Sequence, residues 1–124
     1  MQPQRIFFGQ PSQRPTKLLN SIAQALATDP HATAAYLGQM YTVGTDPAPV
    51  VTIGLAAGPH FHEARARLEP TLLAWTTEAD APVDLVDVNE RGTMSDYLRS
   101  TIPFWERNPP GLFRRLVRAL TKKR

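Results

Sequence analysis

The 124-residue sequence contains no cysteine. This absence excludes a disulfide-stabilised scaffold, a thiolate nucleophile and a zinc site built on thiolates. Long hydrophobic runs are missing too, because the longest apolar stretch, 50–57, is far shorter than the roughly 20 residues of a membrane-spanning helix. Residues 1–5 have neither the charged nor the apolar region of a signal peptide. The sequence therefore predicts a cytoplasmic protein without a transmembrane segment.

Motifs that carry catalysis or cofactor binding are also missing. The seven glycines are scattered and none precedes Lys-Ser or Lys-Thr, so a phosphate-binding loop is not supported. Neither Gly-x-Ser-x-Gly nor His-Glu-x-x-His occurs. Asp84 and Asp87 have opposite parity on a predicted strand, which disfavours a pair of acid–base carboxylates. We predict that the chain is not an enzyme and binds no cofactor.

Three histidines are the candidate metal ligands. His60 and His62 stand next to Glu63 at a predicted helix start, but residues two apart point about 200° away from each other on a helix. His31 could join them only if the fold brought it close. We therefore predict histidines exposed at a helix start and no metal site.

Acidic residues are absent from the C-terminal end. The last 11 residues contain six Lys and Arg, whereas the preceding part contains eight of them and all 11 Asp and Glu. The net charge of +3 thus combines a slightly acidic body with a strongly basic tail. No basic stripe interleaved with aromatic residues occurs in the body, which disfavours nucleic-acid binding.

Strand and helix patterns alternate between the 12 prolines. Strands are predicted at 5–8, 32–42, 50–55 and 82–88, and helices at 15–26, 61–75 and from Thr93 onwards, where the Thr93 hydroxyl caps the first turn. Pro70 either kinks the second helix or divides it. The order predicts an α+β fold: a four-stranded, mainly antiparallel sheet with helices on one face (βαββαβ, ferredoxin-like) and short C-terminal helices. We place the domain at 1–108 and the basic tail at 109–124.

Four segments carry a resemblance to a known family. These are Ala35–Leu37, the strand Pro49–Leu55, the Asp-containing strand Pro82–Asp87, and the closing segment Pro103–Arg107. Over roughly 5–107 they resemble the C-terminal domain of the enhanced serine sensitivity protein family, SseB. The resemblance implies a cytoplasmic bacterial protein with an effect on serine tolerance. It supplies no catalytic residue.

Tyr97, Phe104 and Trp105 are the most conspicuous side chains of the predicted body, with Trp75 as a further large ring. In one interpretation the terminal aromatic segment seals the core. In the other these rings are partly exposed and anchor a protein partner, because Trp and Tyr are concentrated in interface hot spots.

The tail contains an apolar stripe. Helical spacing places five apolar residues on one side and basic residues on the remainder. The apolar residues are Leu112, Phe113, Leu116, Val117 and Leu120, and the basic ones include Arg114, Arg115, Arg118 and Lys122. A helix of about 13 residues is marginal alone, so something must cover the stripe. The alternatives are its own body or a second copy, a membrane surface, a partner's groove, or nucleic acid as the least supported.

These observations predict a non-enzymatic protein-interaction or regulatory domain, with a protein partner or self-association. The candidate partner-binding residues are Tyr97, Phe104, Trp105, Leu112, Phe113, Arg114, Arg115, Leu116 and Arg118. A small-molecule regulator that binds amino acids is the alternative. An enzyme would require a deep polar pocket joining His60 or His62 to Asp87.

Overall fold

Five strands and three α-helices make up residues 5–107, the part of the chain that the computed structural model describes. The elements are β1 (Ile6–Gly9), α1 (Thr16–Ala27), β2 (Ala34–Thr42), β3 (Val50–Ala56), α2 (Phe61–Ala79), β4 (Val83–Asp87), α3 (Thr93–Arg99) and β5 (Trp105–Glu106). A short 3-10 turn, Gly58–His60, precedes α2. The predicted α+β class and the βαββαβ order are confirmed.

The longest strand, β2, organises the sheet. On one side it pairs antiparallel with β3, and on the other it pairs antiparallel with β1 along its second half and with β5 at Ala34 and Ala35. β4 lies parallel to β3. The sheet is thus mainly antiparallel, as predicted, with the order β1-β2-β3-β4. Because α2 joins two neighbouring parallel strands, the split arrangement of a ferredoxin-like fold is not confirmed.

The main core lies between the sheet and the helices α1 and α2. Leu18, Ile22 and Leu26 recur at helical spacing and are all buried. They pack with Ala64 and Leu68 of α2 and with odd-numbered residues of the two central strands, whose side chains share one face. The strand residues are Ala35, Leu37, Ile53 and Leu55. The core is therefore formed by apolar residues that recur at helical or strand spacing in the sequence.

Helix α3 packs on the opposite face, where β2 and β3 have glycines at even-numbered positions. A Cβ atom built on Gly54 would lie 2.5 Å from Cγ1 of Val88 and 2.7 Å from Cδ1 of Leu98, and one on Gly38 would lie 2.8 Å from Cδ2 of Leu98. The two glycines therefore let α3 approach the backbone of the sheet directly. The predicted Thr93 cap is wrong: Gly92 is the N-cap residue, and no side chain caps the helix.

Helix α2 continues through Pro70, so the division of this helix that the sequence left open does not occur. Its two buried residues, Ala64 and Leu68, both precede Pro70. Its C-cap residue, Asp80, adopts the left-handed conformation with φ 52°. None of the helices in residues 5–107 combines the length and the apolar character needed to cross a membrane.

Candidate functional site

Asp29 lies at the junction of α1 and β2 and joins three parts of the chain. Its Oδ1 accepts hydrogen bonds from the backbone N–H groups of His31 (2.7 Å) and Ala32 (2.8 Å). Its Oδ2 accepts one from Nε of Arg67 on α2 at 3.1 Å. The residue is 1% exposed. The carboxylate therefore fixes both the turn after α1 and the position of α2 beside it.

Burial raises the pKa of the Asp29 carboxyl, but the combined effect of its partners is larger. The N–H groups of Ala32 and His31 stabilise the ionised form, and the Arg67 guanidinium adds attraction. Together they hold the pKa of this carboxyl below its ordinary value of 3.8. Asp29 is therefore a charged structural group at neutral pH.

Arg107 fastens the end of the described chain to the same junction. Its guanidinium donates to the carbonyls of Ala32 (2.8 Å from Nε), Leu26 (2.7 Å) and Asp29. The positive charge of Arg107 near the C-terminal carbonyls of α1 also interacts favourably with the negative end of the helix dipole. The guanidinium lies 5.4 Å from the ring centre of Trp105. The chain thus leaves residue 107 beside the C-terminus of α1.

The predicted aromatic residues are divided between the two faces of the sheet. Phe104 and Trp105 pack against the core beneath α1 and α2. Tyr97 lies on the α3 face, where its ring stacks on Phe8 with 6.1 Å between ring centres. Nε2 of Gln10 donates to the Tyr97 hydroxyl and to the carbonyl of Leu37, which lies between the parts of β2 that pair with β1 and β5. The remaining predicted contact residues, on the tail, lie outside the described residues.

Exposed apolar side chains gather at one corner of the sheet, which we call the β1 corner: Ile6, Phe7 and Val43. They are 45%, 57% and 45% exposed. Phe7 and Val43 share one face and Ile6 lies on the other. In residues 5–107 the only strand that pairs with β1 is β2. Sequence reasoning missed this corner because the position of β1 at an edge depends on the whole topology.

A second apolar surface follows Pro70. Two hollows, of about 640 and 530 Å³, flank this half of α2 and both include Pro70. The first lies between α1 and α2, and the second lies on the outer side, where Leu73 is 68% exposed. We call residues 69–78 the α2 ledge.

A polar cleft of about 350 Å³ opens beside the last residues of β4, between the first turns of α2 and α3. Crevices at the carboxyl ends of parallel strands are frequent ligand sites in α/β sheets. His62, Arg65, Asp87, Glu90 and Ser95 line this one, together with Phe61, Leu85 and Val86. His62 and Asp87 therefore do line one cleft. The Ser95 hydroxyl donates to the backbone carbonyl of Asp87 at 3.1 Å, so its hydrogen bond goes to the backbone and not to a base.

The fold brings His31 to His60 but leaves His62 apart from them. The first two imidazoles stack with 3.8 Å between ring centres, and Nδ1 of His60 lies 3.9 Å from Oε2 of Glu63. Stacked rings direct their nitrogen lone pairs in parallel planes, which is unsuited to sharing one tetrahedral ion. Across residues 5–107 no group of three or more His, Asp or Glu could hold a metal ion.

Comparison with known proteins adds one finding. The family model described as SseB protein C-terminal domain matches residues 1–107. The chain therefore belongs to the SseB C-terminal domain family. The match ends at Arg107, the arginine that fastens β5 to α1. Neither the search of curated proteins nor the search of solved structures found a match.

Proposed function

We propose that this SseB C-terminal domain is a non-enzymatic interaction domain, and that it associates with a second copy of itself through the edge of β1 that pairs with no strand in residues 5–107. The observation that supports this is the β1 corner, where two exposed apolar side chains belong to an edge strand and a third lies beside it. Exposed edges of this kind are templates for strand pairing, and natural proteins protect them with charges, prolines or bulges. The strand Ile6–Gly9 contains no charged residue and no proline.

The backbone of β1 has the right alternation for such pairing. The Val43 N–H donates to the Arg5 carbonyl at 2.9 Å, so residues 5, 7 and 9 form the hydrogen-bonded pairs with β2. The N–H and C=O groups of Ile6 and Phe8 consequently point away from β2. Two antiparallel copies of β1 related by a two-fold axis at Phe7 would place Arg5 opposite Gly9, so no like charges would meet.

The oligomeric state of the full chain tests this proposal. We expect light scattering to show a concentration-dependent dimer, and hydrogen exchange to show protection of the Ile6 and Phe8 amides that grows with concentration. Phe7→Lys should weaken the dimer about tenfold or more, because burial of a Phe side chain contributes about 1.5–3 kcal/mol.

Ile102→Lys is the matched control. Ile102 is 91% exposed and belongs to a loop outside the β1 corner, so its replacement should leave the dimer intact. A wild-type chain that stays monomeric at every concentration would refute self-association through β1, as would a dimer that Phe7→Lys leaves unchanged.

The polar cleft favours a second candidate function, the binding of a free amino acid. Arg65 could receive a carboxylate while Asp87 and Glu90 could receive an ammonium group, so the lining complements a zwitterion. A volume of about 350 Å³ is large enough for such a small ligand. A binding site of this kind would also connect the domain to the serine tolerance that its family resemblance implies.

Thermal unfolding with a panel of amino acids, serine included, tests this candidate. A ligand at 100 times its Kd should stabilise the fold by about 2.7 kcal/mol. Arg65→Gln should abolish the shift, whereas Arg91→Gln, at an exposed position outside the cleft, should preserve it. The absence of a shift with every amino acid at millimolar concentration would argue against the cleft as an amino-acid site.

A further inference from the structure

The α2 ledge is an apolar surface with acidic residues at its margins. Pro70, Leu73 and Ala74 contribute its apolar centre, and the partly buried Trp75 lies beneath it. Glu69 lines the outer hollow and Glu78 lines the inner one, against a single basic residue, Lys17. Such a surface suits an amphipathic segment whose polar side is basic.

The chain leaves the described fold close to the beginning of this ledge. Arg107 is bound at the C-terminus of α1, and Asp29 at the same place is bound to Arg67 of α2. The inner hollow brings the N-terminal turn of α1, including Lys17 and Leu18, against 70–78 of α2, so the two helices are antiparallel. From the level of Arg67 the ledge therefore extends away from the point of exit along α2.

The length of the following segment matches the ledge. The helical rise of about 1.5 Å per residue makes the ledge, 69–78, about 15 Å long, and makes a helical segment 109–120 about 18 Å long. The segment begins two residues after Arg107, so its start lies within about 7 Å of the Arg107 backbone, close to the C-terminus of α1.

The chemistry of that segment matches as well. Its stripe of Leu112, Phe113, Leu116, Val117 and Leu120 needs an apolar surface, and its arginines have no acidic neighbour within the last 11 residues. Glu69 and Glu78 of the ledge offer the opposite charge. Burial of the stripe would be the main attraction, and the charges would orient the segment.

We propose that residues 109–120 bind as an amphipathic helix to the α2 ledge of the same chain, with the stripe toward Leu73 and Ala74. This proposal concerns a different surface from the β1 corner and does not depend on it. The contact covers the half of α2 that the body itself leaves without a buried residue.

Cysteine cross-linking of the full chain provides the test, because the natural sequence contains no cysteine. Leu73→Cys combined with Leu116→Cys should form a disulfide within one chain under mild oxidation, and non-reducing electrophoresis should show a monomer of increased mobility. Ile102→Cys with Leu116→Cys is the matched control and should form much less of it. Since the β1 dimer is non-covalent, its presence or absence does not affect this readout.

Two outcomes would overturn the proposal. A disulfide that forms only between two chains would assign the ledge to a second copy, and a yield no higher than in the control would place the segment elsewhere. A second measurement needs no cysteine: with Trp105→Phe as background, Leu116→Asp should shift Trp75 fluorescence to the red and increase its quenching by acrylamide. An unchanged spectrum would contradict a helix seated over Trp75.

Discussion

At the scale of single residues, Asp29 shows which of several contacts matters most. Arg67 is half-exposed, so its ion pair with Asp29 is screened by solvent and contributes about 1 kcal/mol or less. The two backbone N–H groups are closer to the carboxylate than Nε of Arg67 is, and hydrogen bonds to a charged group contribute about 1.5–3 kcal/mol. The hydrogen bonds of the turn should therefore contribute more to the free energy of unfolding than the ion pair does.

Substitution of Asp29 separates these contributions. Asp29→Ala leaves both N–H groups without their acceptor and should lower the free energy of unfolding by about 3 kcal/mol. Asp29→Asn keeps an oxygen for the turn but loses the charge and the acceptor for Nε of Arg67, so it should cost about 1 kcal/mol. Urea denaturation at pH 7 measures both values. Equal losses in the two variants would mean that the charge, and not the turn, dominates.

The lowered pKa of Asp29 predicts how stability changes with pH. Because the folded state binds this proton less tightly than the unfolded state, the carboxylate contributes its full stabilisation above about pH 4–5. The contribution decreases as the pH falls below 3.8 and through the lower pKa of the folded state. Asp29→Asn should remove this part of the acid dependence in urea titrations between pH 7 and pH 2, and an identical acid profile in the variant would contradict it.

At the scale of secondary-structure elements, the contact of α3 with the sheet depends on Gly38 and Gly54. Gly54→Ala would place a methyl group 2.5 Å from Val88 and 2.7 Å from Leu98, so α3 or the loop before it must shift. Overpacking of this kind costs about 1–3 kcal/mol. We expect a corresponding fall in the free energy of unfolding, measured by urea denaturation.

Two further variants test whether the loss of stability in Gly54→Ala comes from its contacts with Val88 and α3. Gly9→Ala, with nothing within 4 Å of the added atom, should leave stability unchanged or slightly increased. Val88→Ala removes the nearest obstacle, so it should recover part of the loss when combined with Gly54→Ala. If Gly54→Ala is as stable as the natural chain, α3 does not pack as closely as described.

The same glycines explain how much of the fold could be predicted. The period of Phe61, Ala64 and Leu68 and the apolar run 50–55 report local burial, so α2 and the central strand β3 were correctly predicted. A glycine has no side chain and contributes nothing to a periodic pattern. The sequence pattern therefore could not predict which face of the sheet packs against α3. It could not predict β5 either, because two residues are too few to form a pattern.

At the scale of the whole molecule, the candidate sites arise from contacts between distant segments. The β1 corner requires β1 to be the edge strand, and the polar cleft requires Arg65 of α2 and Glu90 of the loop after β4 to line one opening. Sequence reasoning could name Phe104 and Trp105 but could not separate them from Tyr97, because their opposite faces depend on how the C-terminal segment returns to β2.

Arg107 closes the molecule by joining its last described strand to its first helix. Its planar guanidinium reaches three carbonyls from two nitrogens, and the single ammonium group of a lysine cannot reproduce this fork. We expect Arg107→Lys to lower the free energy of unfolding by about 2 kcal/mol, nearly as much as Arg107→Ala. Arg91→Ala, which removes an exposed arginine elsewhere, should change it by about 0.5 kcal/mol at most.

Hydrogen exchange locates the effect of that change. The Phe104 N–H donates to Ala35 and the Arg107 N–H donates to Thr33, both at 2.9 Å, so these amides report whether β5 stays on β2. In Arg107→Lys they should exchange faster, while the amides of β3 between β2 and β4 keep their protection. Uniform acceleration would mean that Arg107 contributes to global stability alone, and an unchanged rate would mean that β5 is held by Phe104 and Trp105 without it.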